Sequence, residues 1–522
     1  MKEMVAGVPT MEEWLEKNCQ GTVGVDPTLV SCSYMNEISQ RIAPGGHTVA
    51  YIYENLVDAV WGQERPGRPS EPLFVLDVQY TGQTAKDKLA MVSSFLQDNQ
   101  ADALVVADLC DVAYLLNLRG NDIPYTPVFF AYLFLSAGTE KNKGKDKNVL
   151  FTDKAKITPA VNDYLTALTI EVQPYDSLPA FLMAVEPTVK VMVDATACSV
   201  GIWHAVPEVS RMSGSYPMAG WKAIKNETEI ENLRRCHLRD SVALCRWMRW
   251  LKEQEPRALS EFAVAESIFK FRQEQPHFIS NSFETIAAFG PHAAIVHYGE
   301  HAQDAYQDGS VILLDSGGQY LDGTTDVTRT VWPGSSAPAP SVQVQSYYTA
   351  VLEAHLALMY AKVKASMATG SLLDSIARVE MWKREMDFNH GTGHGVGFCL
   401  GVHESPTALS VRLRAAALQP VQSGMVFSNE PGVYVEGICG VRLEGVQIAR
   451  CESGSEWMTF EHLTWVPFDL SLVAVDMLST RSLELLNEYH AEVRTRLMPL
   501  IQEDASLQEW LLLATQPVTA SV

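Results

Sequence analysis

The sequence predicts an α/β (α+β) protein of about three domains, and three observations carry that prediction. Its 522 residues exceed one ordinary hydrophobic core, at a prior of about 150 residues per domain. A composition of 47% hydrophobic and 20% charged residues belongs to folded globular chains and is too apolar for a disordered one. Short apolar runs of strand length, Leu104-Val105-Val106, Val128-Phe129-Phe130 and Lys190 to Val193, are interleaved with helical stretches such as Lys86 to Leu96.

Two breaks divide the chain. Gly62 to Pro72 carries Pro66, Pro69 and Pro72, each lacking a backbone donor and restricting the residue before it. Residues 1–64 are then few for an independent core and read as a partial N-terminal α/β domain, and residues 65–222 as a second α/β domain. Near Trp221 the third domain, 223–522, opens on two overlapping capping boxes, Asn226 with Glu229 and Thr228 with Glu231, ahead of a helix running toward Leu251. The basic run Lys141 to Asn148 reads as a solvated loop.

Forty basic residues against 62 acidic ones give a net charge of −22, which repels nucleic acid backbones and anionic lipid and argues against both as partners. The nine cysteines are dispersed, odd in number and without C-x-x-C spacing, so a reducing, cytoplasmic setting is expected rather than a disulfide framework. Met1 to Met4 lead into no apolar secretory segment, and the most apolar run, Val128 to Ala137, is too short to span a bilayer.

The chemistry concentrates in the third domain. Ser310 to Asp315 is an apolar run ending in an acid, and after Gly317-Gly318 and Asp322-Gly323 a return segment carries Asp326 ahead of Val327 to Val331. That pattern predicts a β-hairpin presenting two desolvated carboxylates, which repel strongly unless a cation lies between them. His390-Gly-Thr-Gly-His394-Gly-Val-Gly adds two imidazoles four residues apart with glycines that permit close backbone approach, and His403 follows. A Gly-rich turn with histidines satisfied in the core is the simpler reading of that stretch alone; the nearby acids favour a metal site. Glu430 after Met425-Val426-Phe427, and Glu444 on the strand Val441 to Glu444, predict a second hairpin whose acids sit among apolar neighbours, where an unpaired charge is costly. Arg442, two residues before Glu444, is expected on the same face, either orienting a carboxylate through a bidentate contact or forming a surface ion pair. Cys399 is expected to be a buried apolar side chain rather than a redox centre.

The ordered set Asp315, Asp326, His394, Glu430 and Glu444 resembles the pita-bread metallopeptidases. Leu314-Asp315-Ser-Gly-Gly, Asp322-Gly-Thr-Thr-Asp326-Val-Thr-Arg-Thr, His390 to Gly397 and Glu430-Pro-Gly look like the cytosolic aminopeptidase P (Xaa-Pro aminopeptidase) family. The likeness continues in Leu116 to Gly120, Pro127 to Phe130 and Phe460 to Gln516. It implies a pita-bread catalytic domain with a C-terminal extension, a creatinase-like α/β domain before it, and a truncated N-terminal domain, since Met1 to Trp61 offers fewer strands than that family's first domain.

The resemblance also implies two divalent metal ions, with manganese expected and cobalt or zinc possible for a mainly oxygen ligand set. Asp326 and Glu444 would bridge the ions, Asp315 would hold one, and His394 with Glu430 the other, activating a water for attack on the bond before a proline. Glu430 is the expected proton acceptor; His297 and His403 resemble histidines at the substrate carbonyl, His390 a substrate-side histidine, and Arg442 is counted with the substrate groups. Peptides with proline second are the implied partners, and a homodimer the implied assembly, with Met477 to Leu513 either an interface or a helix packed on its own domain. A prolidase, confined to Xaa-Pro dipeptides, and a catalytically inactive peptide-binding relative are the competing readings. The upstream domain and C-terminal extension weigh against the first, the complete ligand set against the second.

Overall fold

The computed structural model describes residues 8–138, 147–299, 306–334, 339–412 and 415–519. Residues 141–146 of the basic run lie outside them. The chain forms two compact units, one of Met1–Asp77, Gln83–Ile123 and Val128–Pro217, the other of Val78–Gly82, Pro124–Pro127 and Met218–Val522.

The first unit is built on a mixed six-stranded sheet in the order Arg211–Ser213, Val191–Val193, Ala103–Val106, Tyr132–Ser136, Asn148–Phe151, Ile170–Gln173. All four residues of Ala103–Val106 are buried, which is why that strand reads as an unbroken apolar run rather than an alternating one. Lys86 to Leu96 falls within the helix Ala85–Asp98, capped by Thr84. Val128 to Phe130, expected as a strand, is instead a loop held by Asp122: Asp122 donates its backbone N–H to Val128 O at 3.0 Å, and its carboxylate accepts Phe130 N–H at 2.7 Å. The sheet strand begins two residues later, at Tyr132. Ahead of this sheet, Thr22–Val25 and Thr48–Tyr51 pair in parallel as a separate two-stranded sheet. The helix Cys32–Ile42 between them buries Met35, Ile38 and Ile42 at helical spacing.

In the second unit the short helix Met218–Ala223 precedes the long helix Glu227–Glu253. Asn226 caps it reciprocally with Glu229 and takes the Thr228 N–H as well, so of the two boxes the first is the one formed. Of the antiparallel sheets that follow, two position the site residues. Ile312–Ser316 lies between Ile286–Phe289 and Val327–Val331, the hairpin expected around Asp315. The larger sheet runs Val363–Lys364, Trp457–His462, Gly445–Cys451, Val426–Asn429, Gly393–Gly395, Glu404–Leu409. Helices Val342–Met359 and Thr480–Leu497 bury Tyr348, Leu352, Leu486, Tyr489 and Val493 in the core of this unit. Trp510 packs on the same core, while Leu512 and Leu513 stay exposed.

Glu444 departs from expectation: it is not on a strand. Cys439–Arg442 pairs with Gly432–Val435, whereas Gly445–Cys451 pairs with Val426–Asn429, so Leu443 and Glu444 span the gap between two ladders. Glu430 and Pro431 span the matching gap on the partner side, and the Asn429 to Gly445 register sets Glu430 and Glu444 next to each other.

Candidate metal centre

Each acid sits at the end of an element whose backbone is held from elsewhere in the same unit. Asp315 is on Ile312–Ser316, opposite Ile286 on one side and Thr328 on the other. Asp326 immediately precedes Val327–Val331. Glu444 donates its N–H to Thr328 O at 3.0 Å, and its carbonyl accepts from the fully buried Arg329 guanidinium at 2.6 Å. Glu430 donates its N–H to Thr392 O at 2.8 Å. Close approach around His394 depends on glycine: a Cβ on Gly393 would stand 2.0 Å from Ser428 O, and one on Gly395 2.2 Å from Glu404 O.

These elements converge on one cavity of about 480 Å³ lined by Asp315, Asp326, His394, Glu430 and Glu444 together with His297, His390, His403 and Arg442. Every site residue expected from the sequence is therefore on its wall. Ligand atoms of Asp326, His394 and Glu444 lie within 4.8 Å of one another. His394 Nε2 is 3.3 Å from Asp326 Oδ2 and 3.4 Å from Glu430 Oε1. Its Nδ1 donates to Gly395 O at 2.9 Å, which leaves the Nε2 lone pair aimed into the cluster in the neutral ring.

Burial pushes the Asp326 carboxyl up to about 6, with Asp315 and Glu430 adding to the rise against His394. Glu444 is driven well above the carboxylate range by burial and then by Asp326, Glu430 and Asp315, and burial also raises Glu430. Burial opposes the charge on His394, but Asp326 and Glu430 outweigh it and hold the imidazole up at about 9. Without a cation the cluster thus keeps protons that isolated carboxylates would release. Asp315 Oδ1 is buried and has no hydrogen-bond partner among the described residues. Four inward carboxylates, an imidazole lone pair and an unsatisfied buried oxygen are a donor set that fits divalent cations.

The remaining expected residues divide by their contacts. His403 meets the His394 ring edge to face with centroids 4.1 Å apart, and burial, then His394 and His297, lower it to about 4. His390 donates from Nδ1 to Gly391 O at 2.7 Å, and its Nε2 accepts the Tyr434 hydroxyl at 2.8 Å. Arg442 does not form the expected two-pronged contact with one carboxylate. Its guanidinium is shared three ways: to Asp315 Oδ2 at 2.6 Å, Tyr434 Oη at 2.9 Å and Thr328 Oγ1 at 3.1 Å, because those groups converge from three strands. Cys399 is fully buried.

The sequence reading missed a set of neutral and buried supports. Ser428 Oγ accepts the His394 N–H at 3.0 Å and donates to Glu430 Oε1 at 3.1 Å. Thr328 Oγ1 donates to Glu444 Oε2 at 2.6 Å. Buried Asp374 takes both Thr392 donors and pairs with Arg378, whose guanidinium reaches His390 O at 2.6 Å. Thr328 and Arg329 lie inside the Asp326-Val-Thr-Arg-Thr stretch, which was a usable signal; Ser428 and Asp374 carry none in isolation.

The sequence model of metallopeptidase family M24 matches residues 231–448, that of the creatinase/prolidase N-terminal domain residues 64–229, and that of the C-terminal region of the same peptidases residues 456–518. A probable Xaa-Pro aminopeptidase P of Sordaria macrospora is 37% identical over 99% of this chain and 86% of its own length. Aminopeptidase P2 of Arabidopsis thaliana is 36% identical over 98% and 76%. The crystal structure of X-prolyl aminopeptidase from Caenorhabditis elegans, described as a cytosolic enzyme with a di-nuclear active site, superposes with a TM-score of 0.90 at 32% identity, covering 99% of this chain and 85% of that one. An Xaa-Pro dipeptidase from Bacillus anthracis shares the fold at a TM-score of 0.59 and 23% identity, over 74% of this chain and 99% of its own. With a creatinase-type N-terminal region and a pita-bread catalytic domain, the chain belongs to metallopeptidase family M24, in its Xaa-Pro aminopeptidase P branch.

Proposed function

We propose that the chain is a metal-dependent aminopeptidase that hydrolyses the bond between an N-terminal residue and a following proline. The observation that carries this reading is the convergence of Asp315, Asp326, His394, Glu430 and Glu444 in one cavity, with buried carboxylates that hold protons in the absence of a cation. Those five residues would hold two divalent ions, manganese by the predominance of oxygen donors, with cobalt or zinc compatible. When bound, such ions supply an acidified nucleophile and polarise the scissile carbonyl.

The chain's own residues divide the remaining work. Glu430, fixed by Ser428, accepts the proton from the nucleophile at its carboxylate. His403 is neutral near pH 7, so it donates an N–H to the substrate carbonyl region without adding charge, and His297 lines the same cavity. His390 is kept in one ring orientation by Gly391 and Tyr434. Phe283, Ile286, Val296 and Val402 give the cavity an apolar wall that matches a pyrrolidine ring and excludes water.

The same reading includes an N-terminal segment at 1–64, a creatinase-like domain at 65–222 and the catalytic domain at 223–522, supported by the separate two-stranded sheet of the first segment and by the family match beginning at residue 64. It also includes a homodimer and a cytoplasmic location, the latter supported by nine free cysteines and by the cytosolic C. elegans relative.

The test compares Xaa-Pro, Xaa-Pro-Yaa and longer Xaa-Pro peptides, with metal stripped and manganese restored. Turnover of the longer peptides that depends on metal and is abolished in Glu430→Gln and His394→Ala is the expected result. Turnover of the dipeptide alone would make the protein a prolidase. Turnover of none would make it an inactive relative.

A further inference from the structure

Among the described residues, the cavity wall carries one carboxylate outside the five-residue cluster, that of Glu284. It is solvent-exposed at the cavity's mouth and has no ion-pair partner among the described residues. Ile286 is the cross-strand partner of Asp315, and Glu284 lies two residues before it, in the segment leading into the strand Ile286–Phe289, lining the same cavity. One residue of substrate, from the scissile carbon to the carbonyl carbon of the proline, advances about 3.5 Å. In an Xaa-Pro dipeptide the residue after the scissile bond ends in a carboxylate, one residue beyond the cluster in the cavity that Glu284 also lines, whereas in a longer peptide the same position is a neutral amide.

Nothing on the described part of the wall offsets that repulsion with a free guanidinium or ammonium. Its one Arg or Lys is Arg442, and the Arg442 guanidinium is engaged by Asp315, Tyr434 and Thr328. We propose that Glu284 is a specificity-determining residue that selects peptides continuing past the proline against Xaa-Pro dipeptides, by setting a negative charge where a dipeptide must place its carboxylate. This rests on the aminopeptidase reading above and explains how a fold shared with dipeptidases turns dipeptides away: discrimination by like charge rather than by added contacts.

The test isolates the charge by comparing Leu-Pro with Leu-Pro-amide, which differ only at the terminal group. With manganese restored, the wild-type protein should cleave the amide at least about tenfold more efficiently in kcat/KM. Glu284→Gln should narrow that ratio about fivefold, chiefly by raising turnover of the free acid, a gain that structural damage does not produce. Glu284→Arg should narrow it further. Raising ionic strength should narrow the ratio for the wild type and leave that of Glu284→Gln in place. An unchanged ratio in Glu284→Gln, or an equal fall on both substrates, would overturn the assignment while leaving the aminopeptidase reading intact. Failure of the wild type to cleave Leu-Pro-amide or any longer Xaa-Pro peptide overturns both.

Discussion

Arg442 Nη2 donates to Asp315 Oδ2 at 2.6 Å, joining a strand of the small hairpin sheet to a residue 127 positions further along the chain. The same guanidinium also holds Thr328, and through its hydroxyl Glu444, so one buried cation orients two of the five expected ligands. Lysine has the charge but not the fork and cannot serve three acceptors from one plane. Arg442→Lys should lower metal affinity about 10- to 100-fold, the usual effect of removing an orienting partner. Metal content after dialysis against graded chelator checks this; full retention would mean Arg442 serves the substrate instead.

His403 faces His394 but is not among the residues whose ligand atoms cluster. His403→Ala should lower kcat about 10²- to 10⁴-fold, the range for a lost positioned proton-transfer or hydrogen-bonding group, with metal stoichiometry retained. Elemental analysis alongside steady-state kinetics decides the matter, because loss of metal would move His403 into the coordination sphere.

The candidate ligand residues stand out in the sequence because each lies in a short, unusual local pattern: an acid closing an apolar run, imidazoles among glycines, glutamates beside apolar runs of strand type. Their supports were not. Ser428 and Thr328 are ordinary strand residues until the fold brings His394 and Glu444 to them. The misplaced strand at Val128 to Phe130 has the right residue types for a strand, but Asp122 takes its backbone groups, and a side chain competing for the ladder leaves no mark in apolar patterning. Val441 to Glu444 reads as one strand because the break after Arg442 exists only through pairing with two different partners, a long-range property. Glu284 carries no signal in the sequence, where a single exposed glutamate is ordinary; only the fold puts it on the cavity wall.

Ser428 links the two halves of the site through a single oxygen. In Ser428→Ala the backbone N–H of His394 loses its acceptor inside the sheet, and leaving such a donor unmet costs about 1–3 kcal/mol. Glu430 loses a donor at the same time. Urea unfolding of the metal-free variant should show a lowered midpoint with an unchanged m-value, together with weaker metal binding. A stability loss with wild-type metal affinity would confine Ser428 to the sheet and remove it from the support of Glu430.

The protonation of the cluster makes stability depend on pH in opposite directions with and without metal. Asp326 titrates at about 6 rather than 3.8, so the folded, metal-free protein binds that proton more tightly than the unfolded chain does. The stability it contributes is complete below pH 3.8 and is lost as pH rises through 6. His394 is raised from 6.5 to about 9, so its contribution is present below pH 6.5 and lost through 9. Metal ions held by those residues would bind the deprotonated forms, so their stabilisation would grow as the protons leave. The difference in melting temperature between manganese-saturated and chelator-treated protein should therefore widen steadily from about pH 5 to about pH 9. In Asp326→Asn and His394→Ala that widening should shrink together with metal content, whereas a difference that stays constant with pH in the wild type would mean the ions bind outside this cluster.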